Sequence, residues 1–202
     1  MRLLVDSDAF CKLAASGLLS DAAVLFHAGL GDCGRLPALP HMLRRGRLLR
    51  TYGTRACERL IPLAEHMPPV VDSPTSWLEQ LAHIPDIDPG EAILFATAAD
   101  RRVPVVTGDI RSLRALKSLD RFPEALEGRI AVLEAVLLAL CGRLGTAAVR
   151  SRVQSVPQVD NVMQICFSPG VEEPELALRS YLHDRKKALA PLVLWGTDEG
   201  GE

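Results

Sequence analysis

The sequence predicts a protein of the α/β class built on a mostly parallel sheet. Two observations carry this expectation. Short apolar runs with strand character alternate with stretches of helical periodicity, as βαβ units do. Two of those runs are followed closely by an aspartate: Leu3, Leu4 and Val5 lead into Asp6, and Val103, Val105 and Val106 lead through Gly108 into Asp109. Crossovers of one hand place the C-terminal ends of parallel strands on one edge of the sheet, where open α/β folds hold their ligands.

Residues 2 to 5 read as the first strand, and Asp8 to Ala15 as a helix with Phe10, Leu13 and Ala14 on one face. Ser20 or Asp21 is expected to cap a second helix reaching about His27. Gly29, Gly31, Gly34, Pro37 and Pro40 mark the following stretch as loop. Residues 41 to 59 change character: Arg44, Arg45, Arg47, Arg50, Arg55 and Arg59 stand against a single Glu58. That density reads either as a solvated helix face or as a phosphate-binding patch.

Val70 and Val71 suggest a short strand. Ser73 followed by Pro74 signals a helix start, with Trp77, Leu78 and Leu81 turned inward. Asp88-Pro89-Gly90-Glu91 opens the next helix, which runs through Ile93, Leu94, Ala96, Thr97 and Ala98. Asp88 at the cap and Glu91 three positions on have the spacing of a capping box, so Glu91 has a purely structural reading. A strand then ends at Thr107, a helix covers Ser112 to Leu119, a strand spans Arg129 to Leu133, and a helix reaches Arg143. From Gly145 the pattern weakens. Val153 to Phe167 fits helix or strand, whereas Glu172 to Leu189 has acids at its start and Arg185, Lys186 and Lys187 near its end, as the helix dipole favours. The closing TDEGGE reads as a frayed tail.

At 202 residues the chain fits one domain with an appendage, divided here as 1–144 and a mainly helical 145–202, and its 48% hydrophobic residues suffice for a sizeable core. A net charge of -2 excludes a strong general field for nucleic acid but leaves room for a local basic patch. Aromatic residues, at 4%, are too few for a base-stacking platform to dominate. The five cysteines form no CxxC pair and no Cys/His spacing that suits zinc. Their odd number, with no signal peptide, favours a reducing cytoplasm. The longest apolar run, Ile130 to Cys141, is interrupted by Glu134 and falls short of the about 20 residues a bilayer needs.

Asp6, Glu91 and Asp109 lie far apart in sequence. Brought together, they would repel one another and raise at least one pKa unless a cation sat among them. Hard oxygen ligands suit Mg²⁺ or Mn²⁺. Such an ion supplies what phosphodiester hydrolysis needs, an activated water and a neutralised leaving oxygen.

VDSDAF, GEAILFATA and VVTGDIRSL, in this order and approximate spacing, resemble the PIN domain. The resemblance covers roughly residues 1 to 140. It implies a three-layer α/β/α fold around a parallel sheet and Mg²⁺- or Mn²⁺-dependent cleavage of RNA. It also implies a place among families whose bacterial members are often toxins of toxin–antitoxin pairs. By that resemblance Asp6, Glu91 and Asp109 are the metal-binding and catalytic acids. The chain departs from the PIN pattern in two places. The second helical region, where an additional acid is often found, is Arg-rich, leaving only Glu58 or Glu65. Past Asp109 stand Ile110, Arg111 and Ser112 instead of an acid. Asp8 reads either as an auxiliary ligand or as a cap for the first helix.

The reading is a PIN-like ribonuclease whose ion is held by Asp6, Glu91 and Asp109, with Asp8 auxiliary. Thr107 or Ser112 is expected to hydrogen-bond the Asp109 carboxylate or a ligand water. Arg44, Arg45, Arg47 and Arg50 would hold the RNA backbone. Expected partners besides RNA are a cognate antitoxin and a second copy of the chain; a membrane is not among them. The rival expectation is a PIN-fold module that binds RNA or protein through an inactive, depleted acidic site.

Overall fold

A computed structural model describes residues 1–71, 76–156 and 161–196. Its centre is a parallel sheet of β1 (Leu3–Val5), β2 (Cys33–Gly34), β3 (Val105–Thr107) and β4 (Ile130–Val132), in the order β2-β1-β3-β4. Leu3 pairs with Cys33, Leu4 with Val105, and Val106 with Ala131. Because side chains alternate across a strand, Leu3, Val5, Val106 and Ala131 enter one apolar core, while Leu4, Val105, Ile130 and Val132 enter the other. All of these residues are buried, so the strands read in the sequence as unbroken apolar runs.

Helices cover both faces, giving three α/β/α layers. After β1 come α1 (Ser7–Ala15) and α2 (Leu19–Leu25); after β2 come α3 (Leu39–Arg44), α4 (Arg47–Tyr52) and α5 (Thr54–His66). All five contribute to the core of Leu3 and Val5. Next are α6 (Ser76–Leu81) and α7 (Pro89–Arg101), then α8 (Ile110–Leu116) and α9 (Phe122–Ala125) on either side of the turn before β4; these four pack on the opposite core. Trp77 lies there as expected, edge-on to Phe122 at a centroid distance of 4.6 Å.

The chain beyond β4 is helical: α10 (Leu133–Leu144), α11 (Thr146–Gln154), α12 (Asn161–Cys166) and α13 (Pro174–Leu189). The extension is built into both cores. Val149, Met163, Phe167 and Leu178 join one, and Leu182, Leu189 and Leu194 join the other. Leu194 bridges in parallel to Ile130, and Lys117 Nζ donates to Ala188 O at 2.7 Å, so the extension covers the β4 edge. Among the described residues no helix is long and apolar enough to cross a membrane.

Several local expectations are corrected. The glycine- and proline-marked loop contains β2, a 3₁₀ turn at Leu30–Asp32 and the start of α3. β2 tolerates Gly34 for a packing reason. A Cβ there would lie 2.5 Å from Met1 Sδ and 2.8 Å from Leu4 Cδ2. Asp21 does not cap α2, whose N-cap is Leu18; it pairs with Arg152 of α11 at 2.7 Å. Val70 is held by a single bridge region, donating to Arg35 O at 2.8 Å, while Val71 is exposed. The buried Arg35 side chain pins this edge through Ala64 O, Leu36 O and Pro37 O. The expected helix start at Ser73 and Pro74 and the TDEGGE tail lie outside the described residues.

Candidate functional site

β1 and β3 are neighbours, and the chain leaves β1 for β2 on one side and reaches β3 on the other. Their C-terminal ends therefore flank the point where the strand order reverses, which is where parallel sheets open a crevice. A pocket of about 630 Å³ occupies that position. Asp6, Asp8, Asp88, Glu91 and Asp109 line it, together with Arg47, Arg114 and Arg185. The four acids singled out in the sequence thus converge.

Local folding explains how each carboxylate arrives there. Asp6 is the N-cap of α1, its Oδ1 accepting from Ser7 N at 2.7 Å. Asp88 caps α7 and shares a reciprocal box with Glu91: Glu91 N donates to Asp88 Oδ1, and Asp88 N donates to Glu91 Oε2, both at 2.8 Å. Asp109 caps α8, accepting on Oδ1 from Arg111 N at 2.9 Å and Ser112 N at 3.2 Å. The structural and functional readings of Glu91 are therefore compatible: the side chain completes the box and lines the pocket. Gly90 lets this helix start close in, because a Cβ there would meet Leu36 Cδ1 at 2.6 Å. The positive ends of the capped helices face the acids and offset part of their repulsion.

The offset is incomplete. Burial, reinforced by Asp8, pushes the Asp6 carboxyl up to about 6, against the lowering effect of its amide bonds. Burial also pushes Glu91 up to about 7, with repulsion from Asp109 and Asp88 acting in the same direction. The Asp109 carboxylate therefore stands close enough to Glu91 to favour its protonated form. Lys12 brings a cation to Asp8 beside the pocket. Its side chain is 10% exposed, and Nζ lies 2.5 Å from Asp8 Oδ2. Both groups stand beside Gly108.

The donors fit a divalent ion in kind and charge: hard carboxylate oxygens, two of which, on Asp6 and Glu91, burial and neighbouring acids make reluctant to give up a proton. They are not a preformed ligand set. Among the described residues no group of three or more His, Cys, Asp or Glu side chains stands in ligating arrangement. Asp6, Glu91 and Asp109 each have one oxygen committed to backbone amides. Convergence on one ion requires side-chain rotation.

Other expectations fare unevenly. Asp8 does not cap α1; it lies in the first turn and pairs with Lys12. Thr107 Oγ1 accepts from Asp109 N at 3.2 Å, and Ser112 Oγ donates to Asp109 O at 3.0 Å. These hydroxyls hold the Asp109 backbone rather than its carboxylate. Of the arginines expected to form a phosphate patch, Arg47 lines the pocket and Arg44, Arg45 and Arg50 do not. Arg44 forms an ion pair with Glu65, which removes Glu65 as an additional acid. Glu58 is exposed and outside the pocket. Lys12 was not singled out from sequence, although its four-residue spacing from Asp8 is a helical ion-pair signal. Arg114 and Arg185 carried no signal that separated them from other surface arginines. Compared with known proteins, the chain matches no family model, no curated protein and no solved structure.

Proposed function

We propose that this chain is a PIN-like, divalent-metal-dependent endoribonuclease of the cytoplasm. The observation that carries the reading is the convergence of Asp6, Glu91 and Asp109 on one pocket at the ends of adjacent parallel strands. The raised proton affinity of Asp6 and Glu91 supports it, because buried carboxyls that hold protons release them to a cation that binds there. Asp6, Glu91 and Asp109 would hold Mg²⁺ or Mn²⁺, with Asp8 adjoining. When bound, the ion supplies an activated water and charge neutralisation at the leaving oxygen. The protein's own residues do the remaining work. The capped helix starts orient the carboxylates, the Asp109 backbone is fixed by Thr107 and Ser112, and Arg47 at the rim attracts the phosphate backbone.

A second reading has its own observation. Lys12 already neutralises Asp8, and the acids are engaged as caps, as suits a PIN-fold module that binds RNA without cutting it. Cleavage of a mixed RNA pool separates the two. The nuclease reading expects activity with Mn²⁺ or Mg²⁺, none with chelator, and none from Asp109→Asn. Metal-independent cleavage, or equal cleavage by the variant, refutes it. Retained RNA binding with no cleavage by either protein favours the module.

A further inference from the structure

The C-terminal extension delivers one charged side chain to the acidic pocket. Arg185, on α13, lines the same space as Asp6, Glu91 and Asp109. Its position is built rather than incidental. Nε donates to Glu134 Oε1 at 3.0 Å, and Glu134 is only 4% exposed. Glu134 lies in the first turn of α10, immediately after β4, and so at the same edge of the sheet as the pocket. A carboxylate buried at the start of α10 thus holds a guanidinium that comes from α13.

The chemistry of that guanidinium bears on what enters the pocket. Nε is one of five N–H donors in a planar fork. The bond to Glu134 uses it, while the side chain keeps 27% exposure. Among the described residues the ion-pair partner of Arg185 is Glu134, not any of the five carboxylates that share the pocket. A polyanion approaching those carboxylates is repelled unless fixed cations stand beside them. Arg47 and Arg114 also line the pocket but are exposed. Arg185 is the pocket arginine held in place by a buried acid. Arginine is suited to this task because its fork matches two phosphate oxygens at once.

We propose that Arg185 is a phosphate contact of this pocket. Glu134 holds Nε, and the outer N–H groups of the fork hydrogen-bond non-bridging oxygens of an RNA phosphodiester lying against Asp6, Glu91 and Asp109. The proposal rests on the reading of the pocket as an RNA site. It gives the extension a role in substrate binding in addition to covering the β4 edge.

The test is binding of a short fluorescein-labelled single-stranded RNA of mixed sequence, followed by anisotropy at several salt concentrations in chelator, so that cleavage plays no part. Arg185→Gln should lower affinity about tenfold, as loss of a charged hydrogen bond does. It should also flatten the plot of log affinity against log salt by about 0.7 for one lost phosphate contact on a single strand. Arg185→Lys should recover the salt slope without the full affinity. Arg185→Gln alone strands Glu134 without its partner, so thermal unfolding is followed in parallel. The double variant Glu134→Gln/Arg185→Gln removes the stranded charge; it should regain stability and still bind weakly. If the double variant binds like wild type with an unchanged slope, Arg185 is a tie between α10 and α13 and the proposal is overturned. If wild type itself binds no RNA, the RNA reading of the pocket fails and the proposal fails with it.

Discussion

Replacing Asp6 by Asn isolates the electrostatic cost of burying its charge in the pocket. Asn caps a helix as well as Asp does, so the acceptor for Ser7 N is kept. The charge is lost. The Asp6 carboxyl is pushed from 3.8 to about 6 in the folded protein, chiefly by burial and then by Asp8. The folded state therefore binds this proton more tightly than the unfolded chain does. Its contribution is fully present below pH 4 and is lost as pH rises through about 6. At pH 8 the full cost remains, about 3 kcal/mol for a rise of that size. This is an upper bound, because Asp6 keeps partial contact with the pocket opening and Asn is itself polar. Asp6→Asn should raise Tm at pH 8 by up to roughly 6–12 °C for a chain of this length, and should have little effect at pH 4. Thermal unfolding followed by circular dichroism from pH 4 to 8, in chelator, gives both values. Added Mn²⁺ should then stabilise wild type more than the variant. A variant less stable than wild type at pH 8, or a difference unchanged between pH 4 and 8, would refute the argument that the pocket stores unbalanced negative charge.

Two further outcomes follow from side-chain placement. Arg47→Ala should weaken RNA binding and flatten its salt dependence regardless of sequence, whereas Arg44→Ala should leave both unchanged because Arg44 is already paired with Glu65; anisotropy titrations of the two variants side by side decide this. Lys12→Met removes the cation paired with Asp8. It should lower stability by about 0.5–1 kcal/mol at neutral pH, since Asp8 is 39% exposed and screened by solvent, read by urea unfolding, and a neutral result would show that the pair contributes no net stabilisation.

The strands and the convergence of the acids were legible for one reason. A sheet buried on both faces demands consecutive apolar residues, and Leu3 to Val5 and the pair Val105 and Val106 supply them with an aspartate close behind. The order in which they pair was not written locally, but acids at the ends of two parallel strands reach the same edge in any arrangement that makes those strands neighbours. β2 was hidden because it is two residues long and consists of Cys33 and Gly34, whose fitness lies in the space left by Met1 and Leu4. The capping role of Asp6 was masked by its position at the end of a strand, since the helix begins at the very next residue. Arg44 and Arg47 look alike in sequence. Only the fold shows that one faces Glu65 and the other the pocket. Glu134 and Arg185 lie 51 positions apart and meet by the packing of α13 against α10, which no periodicity records.

Calorimetric titration of Mn²⁺ into the metal-free protein tests most directly whether the acids at the β1–β3 crevice hold a divalent cation, as proposed. Wild type should bind Mn²⁺ with release of protons near pH 7, because burial pushes the Glu91 carboxyl up to about 7. Mg²⁺ should compete. Asp109→Asn should reduce the affinity by at least about tenfold with its circular dichroism spectrum unchanged. Saturable Mn²⁺ binding that the substitution leaves intact, or no binding to wild type at millimolar Mn²⁺, would contradict the claim.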